Sequence, residues 1–250
     1  MAACHLLAAR RARQSGPRLA ESCRPTELED ALSIQRRVQE LLGAETGGWK
    51  CSVPTAERAI SCATIFVSAI ARASPCPVIA SSGVVRIEPE IAFVLGCDLP
   101  PRTAPYGEAE VCAAIAETRL VLELLDSRYA DPAAVTFPEL LADHVSNQGL
   151  FVGPVLADAL RRQLDSFAIA IETPDATLHT RAGRHPDGHP LRPLVWLANF
   201  LASRTEIRGL KAGAIVTTGS YAGALEAPTG TPLQVRFGNL GEIGVELAAA

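Results

Sequence analysis

The sequence predicts an α+β fold, on three observations. Apolar residues recur with a helical period only near the start of the chain. Beyond Gly47-Gly48, short β-prone runs separated by Gly, Pro and Asp dominate to residue 250, with few helical interruptions. Neither a glycine-rich GxGxxG turn after a strand nor a Walker sequence occurs, so a doubly wound nucleotide-binding sheet is not expected.

The elements follow in order. Residues 3–13 read as a short helix leading into a Ser/Gly/Pro linker that ends near Pro25. A second helix starts at Thr26, with Glu29 three residues on as in a capping box. Leu28, Ala31, Leu32, Ile34, Val38, Leu41 and Leu42 form its apolar stripe, and Gly43 is its C-cap. Strands are expected at 48–53, 84–96, 118–127, 151–156, 167–172, 176–181, 214–217 and 233–247. Helices are expected at 108–117 and 190–204, with a shorter one from Thr136. The polar, turn-rich segment 182–190 reads as an exposed loop. This divides the chain into an N-terminal helical segment, 1–46, and a β-rich catalytic unit, 47–250.

Composition excludes several classes of function. The net charge is −4 and 48% of residues are hydrophobic, which is not the signature of disorder. A pI near 5.8 gives no general attraction to nucleic acid, and no apolar run approaches the roughly 20 residues of a membrane span. Residues 1–18 carry four arginines and no acid, but their order favours an ordinary first helix over a targeting segment. The seven cysteines show no zinc-type spacing and read as reduced thiols in a cytoplasmic protein. Only two of the basic residues are lysines, Lys50 and Lys211, so neither reads as a mere solubilising charge.

Chemistry concentrates in two acidic islands. In Val84–Leu95, Glu88 and Glu90 lie two residues apart and share one strand face with Ala92 and Val94. Ile87, Ile91, Phe93 and Leu95 take the other face, as core. Parallel carboxylates repel unless a cation or a proton lies between them. The pair reads either as a site for an oxygen-seeking divalent cation or as the solvated face of an edge strand, the position Pro89 favours. In Thr118–Arg128, Glu123 is flanked by Val121, Leu122, Leu124 and Leu125 and is costly to bury unpaired, so it is a candidate third carboxylate. Asp126 faces the other way in extended chain and is expected to pair with Arg128 or cap a turn. Lys50, after a diglycine, is either an active-site amine or a snorkelling surface lysine.

Taken in order, Gly48-Trp49-Lys50, Glu88 through Gly96, Leu122 through Arg128, Ala142 through Asn147 and Thr218-Gly219-Ser220 resemble the 2-keto-4-pentenoate hydratase branch of the fumarylacetoacetate hydrolase superfamily. The likeness runs along nearly the whole chain, including His189 to Asn199. It implies a mixed β-sandwich or roll with N-terminal helices, and Mg²⁺ or Mn²⁺ held by Glu88, Glu90 and Glu123. Lys50 matches the active-site lysine. Asp126 and Asp143 match cleft positions with catalytic roles, and Ser146 and Ser220 match substrate-binding positions. The implied activity is addition of water to a 2-hydroxy-dienoate or 2-keto-enoate of aromatic catabolism, in a homo-oligomer. Alternatives on the same fold are a 2-oxo-3-hexenedioate-type decarboxylase, an acylpyruvate hydrolase and a non-catalytic relative.

The chain departs from that pattern over residues 51–82, where the lid is expected. The apolar stretch Ile60–Ile79, with Arg72 its one charge, is read as lid and subunit interface. His144 reads as a surface histidine or an additional acid/base group. His185 and His189, in the exposed loop, are given no chemistry.

Overall fold

In the computed structural model, which describes residues 1–204 and 208–250, five α-helices and thirteen strands form among the described residues. Two helices lead. Helix α1 is Ala2–Ala12 and α2 is Leu28–Leu42, closed by Gly43 in the left-handed conformation (φ 60°). The start of α2 lies two residues later than expected. The carboxylate of Asp30, not Glu29, accepts from the Glu27 and Thr26 amides, both at 3.4 Å. Glu29 instead pairs with Arg204 at 2.7 Å.

One sheet has the order β2-β1-β10-β5-β6-β7-β3, with β11 also on β5. Its members are β1 Thr46–Ser52, β2 Ser61–Phe66, β3 Ile70–Ala71, β5 Val84–Leu95, β6 Ile115–Leu125, β7 Asn147–Val155, β10 Ile215–Thr217 and β11 Leu225–Pro228. The second has the order β4-β13-β12-β8-β9, from β4 Cys76–Val78, β8 Ser166–Glu172, β9 Thr177–Arg184, β12 Pro232–Phe237 and β13 Gly241–Ala249. The inner faces of both sheets share one core. Ile87, Ile91, Phe93, Leu120 and Leu122 of the first meet Ile169, Ile171, Val235, Phe237 and Ile243 of the second. Helices α3, Glu108–Ala113, and α5, Leu191–Ala202, add Val111, Leu194, Leu197 and Leu201 to that core. A separate cluster joins α1, α2 and α4, Phe137–Ala142, through Leu6, Leu19, Ala31, Val38, Tyr129 and Leu141. Buried Gln35 stitches it to the sheet, donating to the carbonyls of Leu141 at 2.6 Å and Cys62 at 3.2 Å.

Several expectations are corrected. The expected strand 233–247 is a hairpin, because Gly238 and Gly241 take positive φ (52° and 149°), a conformation L side chains rarely adopt. The helix expected at 108–117 stops at Ala113, and Ile115 begins a strand. The stretch 60–79 supplies β2, β3 and β4, and its buried residues Cys62, Ala63, Ile65, Phe66, Cys76 and Val78 belong to the core rather than to a lid. The segment 182–190 is not simply exposed, since His185 and Asp187 are buried. Cys4 and Cys97 are exposed, so not every cysteine serves as a small apolar residue. Lys211 is a surface lysine paired with Asp98 at 2.7 Å.

Pro89 is not on an edge. Strand β5 is central, flanked by β6 on one side and by β10 and β11 on the other. The Pro89 carbonyl accepts from the Tyr221 amide at 3.2 Å, so its nitrogen faces that same side. There β10 ends opposite Ala92 and β11 ends opposite Ile87. The missing N–H falls in the gap between them and breaks no ladder bond.

The close approach of β1 and β10 requires a glycine. A Cβ at Gly48 would lie 2.3 Å from the Ile215 carbonyl oxygen. We expect Gly48→Ala to cost about 3 kcal/mol, the upper end of ordinary overpacking. Urea unfolding measures it, and a midpoint equal to that of the wild type would refute the close contact.

Candidate metal centre and its surroundings

The site occupies the face of the first sheet opposite the main core. Alternation on β5 places Glu88 and Glu90 on that face, and antiparallel register sets Glu123 of β6 directly opposite Glu88. Lys50 of β1 is paired with Thr217 of β10, and Thr217 with Ala92 of β5. Four strands therefore deliver Lys50, Thr217, the two glutamates and Glu123 to one patch. Ile65, Ala92, Val121, Leu150 and Ile215 form a small apolar cluster around it.

One oxygen from each of Glu88, Glu90 and Glu123 lies within 4.8 Å of the others. Glu90 and Glu123 are buried and Glu88 is half-buried. The Lys50 ammonium donates to Glu123 Oε1 at 2.5 Å and to the Val145 carbonyl at 3.2 Å. Asn147 Nδ2 donates to the same Glu123 oxygen at 2.9 Å. Glu90 Oε2 accepts from the Thr217 hydroxyl and from the Gly219 amide at 2.9 Å. Glu123 Oε2 is buried with no partner. A single ammonium faces three carboxylates, and one buried carboxylate oxygen is unsatisfied. That donor set fits a hard divalent cation, which takes several carboxylate oxygens and retains water.

The electrostatics agree. Burial, reinforced by Glu123 and Glu88, pushes Glu90 up to about 8. Glu88 is raised by burial and by Glu123. Burial works against the Lys50 ammonium, but the carboxylates of Glu123, Glu88 and Glu90 outweigh it and hold its pKa above the usual value. Lys50 is therefore a buried, paired ammonium, not a snorkelling one.

A strained turn borders the patch. His144, Val145 and Ser146 all have positive φ (55°, 52° and 59°), a costly conformation for non-glycine residues and above all for β-branched Val145. It aims the Val145 carbonyl at Lys50. Asp143 is buried and paired with Arg128, whose Nη1 also donates to the Asn147 carbonyl at 2.9 Å. Arg128 thus pairs with Asp143, so of the two expectations for Asp126, pairing with Arg128 or capping a turn, the first is corrected. Asp126 lies half-buried beside Ser146, its amide donating to the Ser146 carbonyl at 2.8 Å. Its pKa is raised by burial. Ser220 lies in the turn after β10 and donates to the Gly223 carbonyl at 3.0 Å. The structure therefore brings Lys50, Glu88, Glu90 and Glu123 together, sets Asp143 in a supporting ion pair, and gives Ser220 a bond within its own turn.

His144 is not on the surface. It is buried edge-on to Phe66, with ring centroids 5.2 Å apart. Burial, with Arg10, Arg128 and Lys50 nearby, lowers its pKa well below the usual value, so it is neutral near pH 7. His185 packs against Tyr221, and burial lowers it to about 4. Thr217, Gly219 and Asn147, which touch the carboxylates, were given no role by sequence reasoning. A threonine and a glycine beside Ser220, and an asparagine closing Ala142–Asn147, were the available signals.

No family model matches the chain. The fold is shared with solved structures of 4-oxalocrotonate decarboxylase and fumarylpyruvate hydrolase. In sequence the chain is similar to 4-oxalocrotonate decarboxylases and 2-keto-4-pentenoate hydratases. The solved structure of 4-oxalocrotonate decarboxylase from Pseudomonas putida G7, complexed with magnesium and adipate, superposes with a TM-score of 0.78 at 21% identity, over 98% of this chain and 95% of that one. Fumarylpyruvate hydrolase from Pseudomonas aeruginosa, in complex with Mn²⁺ and pyruvate, gives 0.55 at 12% identity, over 81% and 89%. Among curated proteins, 4-oxalocrotonate decarboxylase of a Pseudomonas species is 29% identical over 165 residues, 63% of this chain and 59% of the relative. 2-Keto-4-pentenoate hydratase 1 of Dechloromonas aromatica (strain RCB) is 29% identical over 166 residues, 65% and 60%. The aligned part of the chain thus spans about three fifths of the length of these curated relatives.

The raised Glu90 sets a pH dependence. Its folded pKa of about 8 exceeds the unfolded value of about 4.3. The folded state then binds the extra proton, and the associated stability is present in acid and lost as pH rises through about 8. A bound cation reverses that loss. We expect the melting temperature of EDTA-treated protein to fall from about pH 6 to about pH 9, and Mn²⁺ to raise it more at the higher pH. Glu88→Gln should remove the Mn²⁺ effect. An Mn²⁺ shift independent of pH would refute the assignment.

Proposed function

We propose that the chain is a divalent-cation-dependent lyase acting on 2-keto acids of aromatic catabolism, with Glu88, Glu90 and Glu123 as the cation ligands. The observation that carries this is the three-carboxylate face, with its unsatisfied Glu123 oxygen and the Lys50 ammonium. Mg²⁺ or Mn²⁺ held there would chelate the keto and carboxylate oxygens of a 2-keto acid and act as a Lewis acid toward charge developing on the keto oxygen. Thr217, Gly219 and Asn147 hold the carboxylates in place. Lys50, protonated at neutral pH, supplies a positive charge beside the site and a proton at Nζ. Asp126, half-buried with a raised pKa, is the candidate partner for proton transfer. Asp143 positions Arg128, and Ser146 lies toward the substrate cleft. Ser220 is a candidate substrate contact from the turn after β10. Residues 47–250 carry all these groups, and 1–46 act as a helical support.

The leading reaction is hydration. A 2-hydroxypenta-2,4-dienoate takes a proton at C5 to become the 2-keto-3-enoate. Water then adds across C3=C4, hydroxyl to C4 and proton to C3, giving 4-hydroxy-2-oxopentanoate. The second reading is decarboxylation of a 2-oxo-3-hexenedioate, in which the C5–C6 bond breaks, CO₂ leaves and the electron pair moves to the keto oxygen. The decarboxylases among the similar proteins, and the adipate in one of their structures, support it. Both reactions build charge on the same oxygen, so one face serves either.

Product analysis separates them. With Mn²⁺ present, the hydratase reading expects a dienoate to give a hydroxy-keto acid with no gas released. The decarboxylase reading expects a 2-oxo-3-hexenedioate to release one CO₂ per turnover. Turnover of neither overturns the lyase assignment. Lys50→Ala should lower turnover by about 10²-fold or more, the scale of a lost proton-transfer group. Near-normal turnover in a folded mutant would remove Lys50 from the chemistry.

A further inference from the structure

One basic side chain lies on the buried stripe of α1. Ala3, Leu6 and Leu7 are buried, and Arg10, three residues after Leu7 and four after Leu6, continues the same face. Arg11 and Arg13 are exposed, whereas Arg10 is half-buried. Its guanidinium lies over the ring of Phe66 of β2, 5.4 Å from the centroid, and Nη2 donates to the Asn147 carbonyl at 3.3 Å. Burial, followed by repulsion from Arg128, lowers its pKa to about 9, although Asp143 and Asp126 draw it the other way. Among the described residues it makes no ion pair, since Asp143 is taken by Arg128.

Regular structure does not fix the residue that Arg10 touches. The three residues before Asn147 all have positive φ. Opposite it, the register of β6 and β7 shifts between Leu124 and Leu125. The Asn147 carbonyl is instead held by two guanidiniums, Arg128 Nη1 at 2.9 Å and Arg10 Nη2, which fill the two acceptor positions of one oxygen. The side chain of the same residue donates to Glu123 Oε1 at 2.9 Å and to the Gly149 carbonyl at 3.2 Å. A carbonyl pinned from two sides fixes the peptide plane, and with it the direction in which the Asn147 amide leaves the backbone. Phe66, under the Arg10 guanidinium, also packs edge-on to His144. His144 precedes Val145, whose carbonyl takes the Lys50 ammonium. Lys50 and Asn147, the two donors to Glu123 Oε1, are therefore both backed by groups that Arg10 touches.

We propose that Arg10 is a positioning residue for the carboxylate face, acting through Asn147 on Glu123, so that helix α1 sets the cation affinity of a site carried by the sheet. This rests on the reading of Glu88, Glu90 and Glu123 as cation ligands. Without the Arg10 guanidinium, Arg128 still satisfies the Asn147 carbonyl, so no buried acceptor is orphaned. The Asn147 amide is then free to turn from Glu123, and the loss falls on ligand geometry and not on stability.

The test is calorimetric titration of Mn²⁺ into wild-type, Arg10→Met and Arg10→Lys proteins, with melting temperatures measured in EDTA. Methionine keeps an unbranched stem against Phe66 and removes the donors. Arg10→Met should bind Mn²⁺ about tenfold more weakly, the lower end of the loss when a ligand's supporting partner is removed. Its melting temperature without cation should equal or exceed that of the wild type, because a desolvated cation with no ion pair is gone. Arg10→Lys, which keeps the charge and a donor but not the planar fork, should lose about threefold or less. In an Asn147→Ala background, Arg10→Met should change the affinity by no more than about twofold, the non-additivity of two residues acting in series. Unchanged Mn²⁺ affinity in Arg10→Met, or the tighter binding that relief of charge repulsion would give, overturns the positioning role and leaves Arg10 a packing residue. An undiminished effect in the Asn147→Ala background overturns the route through Asn147. If the wild type itself takes up no Mn²⁺, the cation reading fails, and the positioning role with it.

Discussion

Three carboxylates on one mostly buried sheet face are the constraint around which the surrounding structure is arranged. Burying even one unpaired carboxylate is costly, and Glu88, Glu90 and Glu123 lie close enough for each to raise the cost of ionising the next. The fold answers with fixed donors from different strands: Lys50 from β1, Thr217 from β10, the Gly219 amide after it and Asn147 from the start of β7. The four bonds from these donors to the carboxylates all fall on one oxygen of Glu123 or one oxygen of Glu90. The remaining demand is for positive charge, which is the requirement a divalent cation meets.

Those donors depend on the backbone beneath them. The Val145 carbonyl reaches Lys50 only because three successive residues adopt left-handed geometry. That strain persists because the Arg128–Asp143 pair and the buried His144 hold the turn from below. On the other side, Gly48, just before Trp49, lets β1 approach β10 closely enough to pair Lys50 with Thr217. The two sheets then supply rigidity rather than chemistry. Their shared core packs against the back of the strands that carry the carboxylates, so a change in register would move Glu88 away from Glu123.

Under the proposed function, one face would serve neighbouring reactions. Hydration and decarboxylation both need an oxygen anion stabilised next to a 2-keto group, and the carboxylate patch is indifferent to the rest of the substrate. Selection must come from what surrounds it. A cavity beside Arg86 lies at one end of the carboxylate row, while Ala92 and Val121 close the other with apolar surface.

The carboxylate face was legible in the sequence because strand alternation is a local rule. Glu88 and Glu90 among apolar residues can share only one side, and Glu123 inside a leucine-rich run can be buried only against a cation or a polar partner. The N-terminal helices and most strands were legible for the same reason, since periodicity and glycine punctuation act over a few residues. What pairs with what is non-local, and only the tertiary structure decided it. Pro89 was placed on an edge because the gap between β10 and β11 is made by segments more than a hundred residues away. Proximity in sequence offers Arg128 to Asp126, two residues distant, while Asp143 reaches it across the turn. The burial of His144 and His185 and the surface position of Lys211 depend on which distant element packs over each side chain, and no local pattern records that.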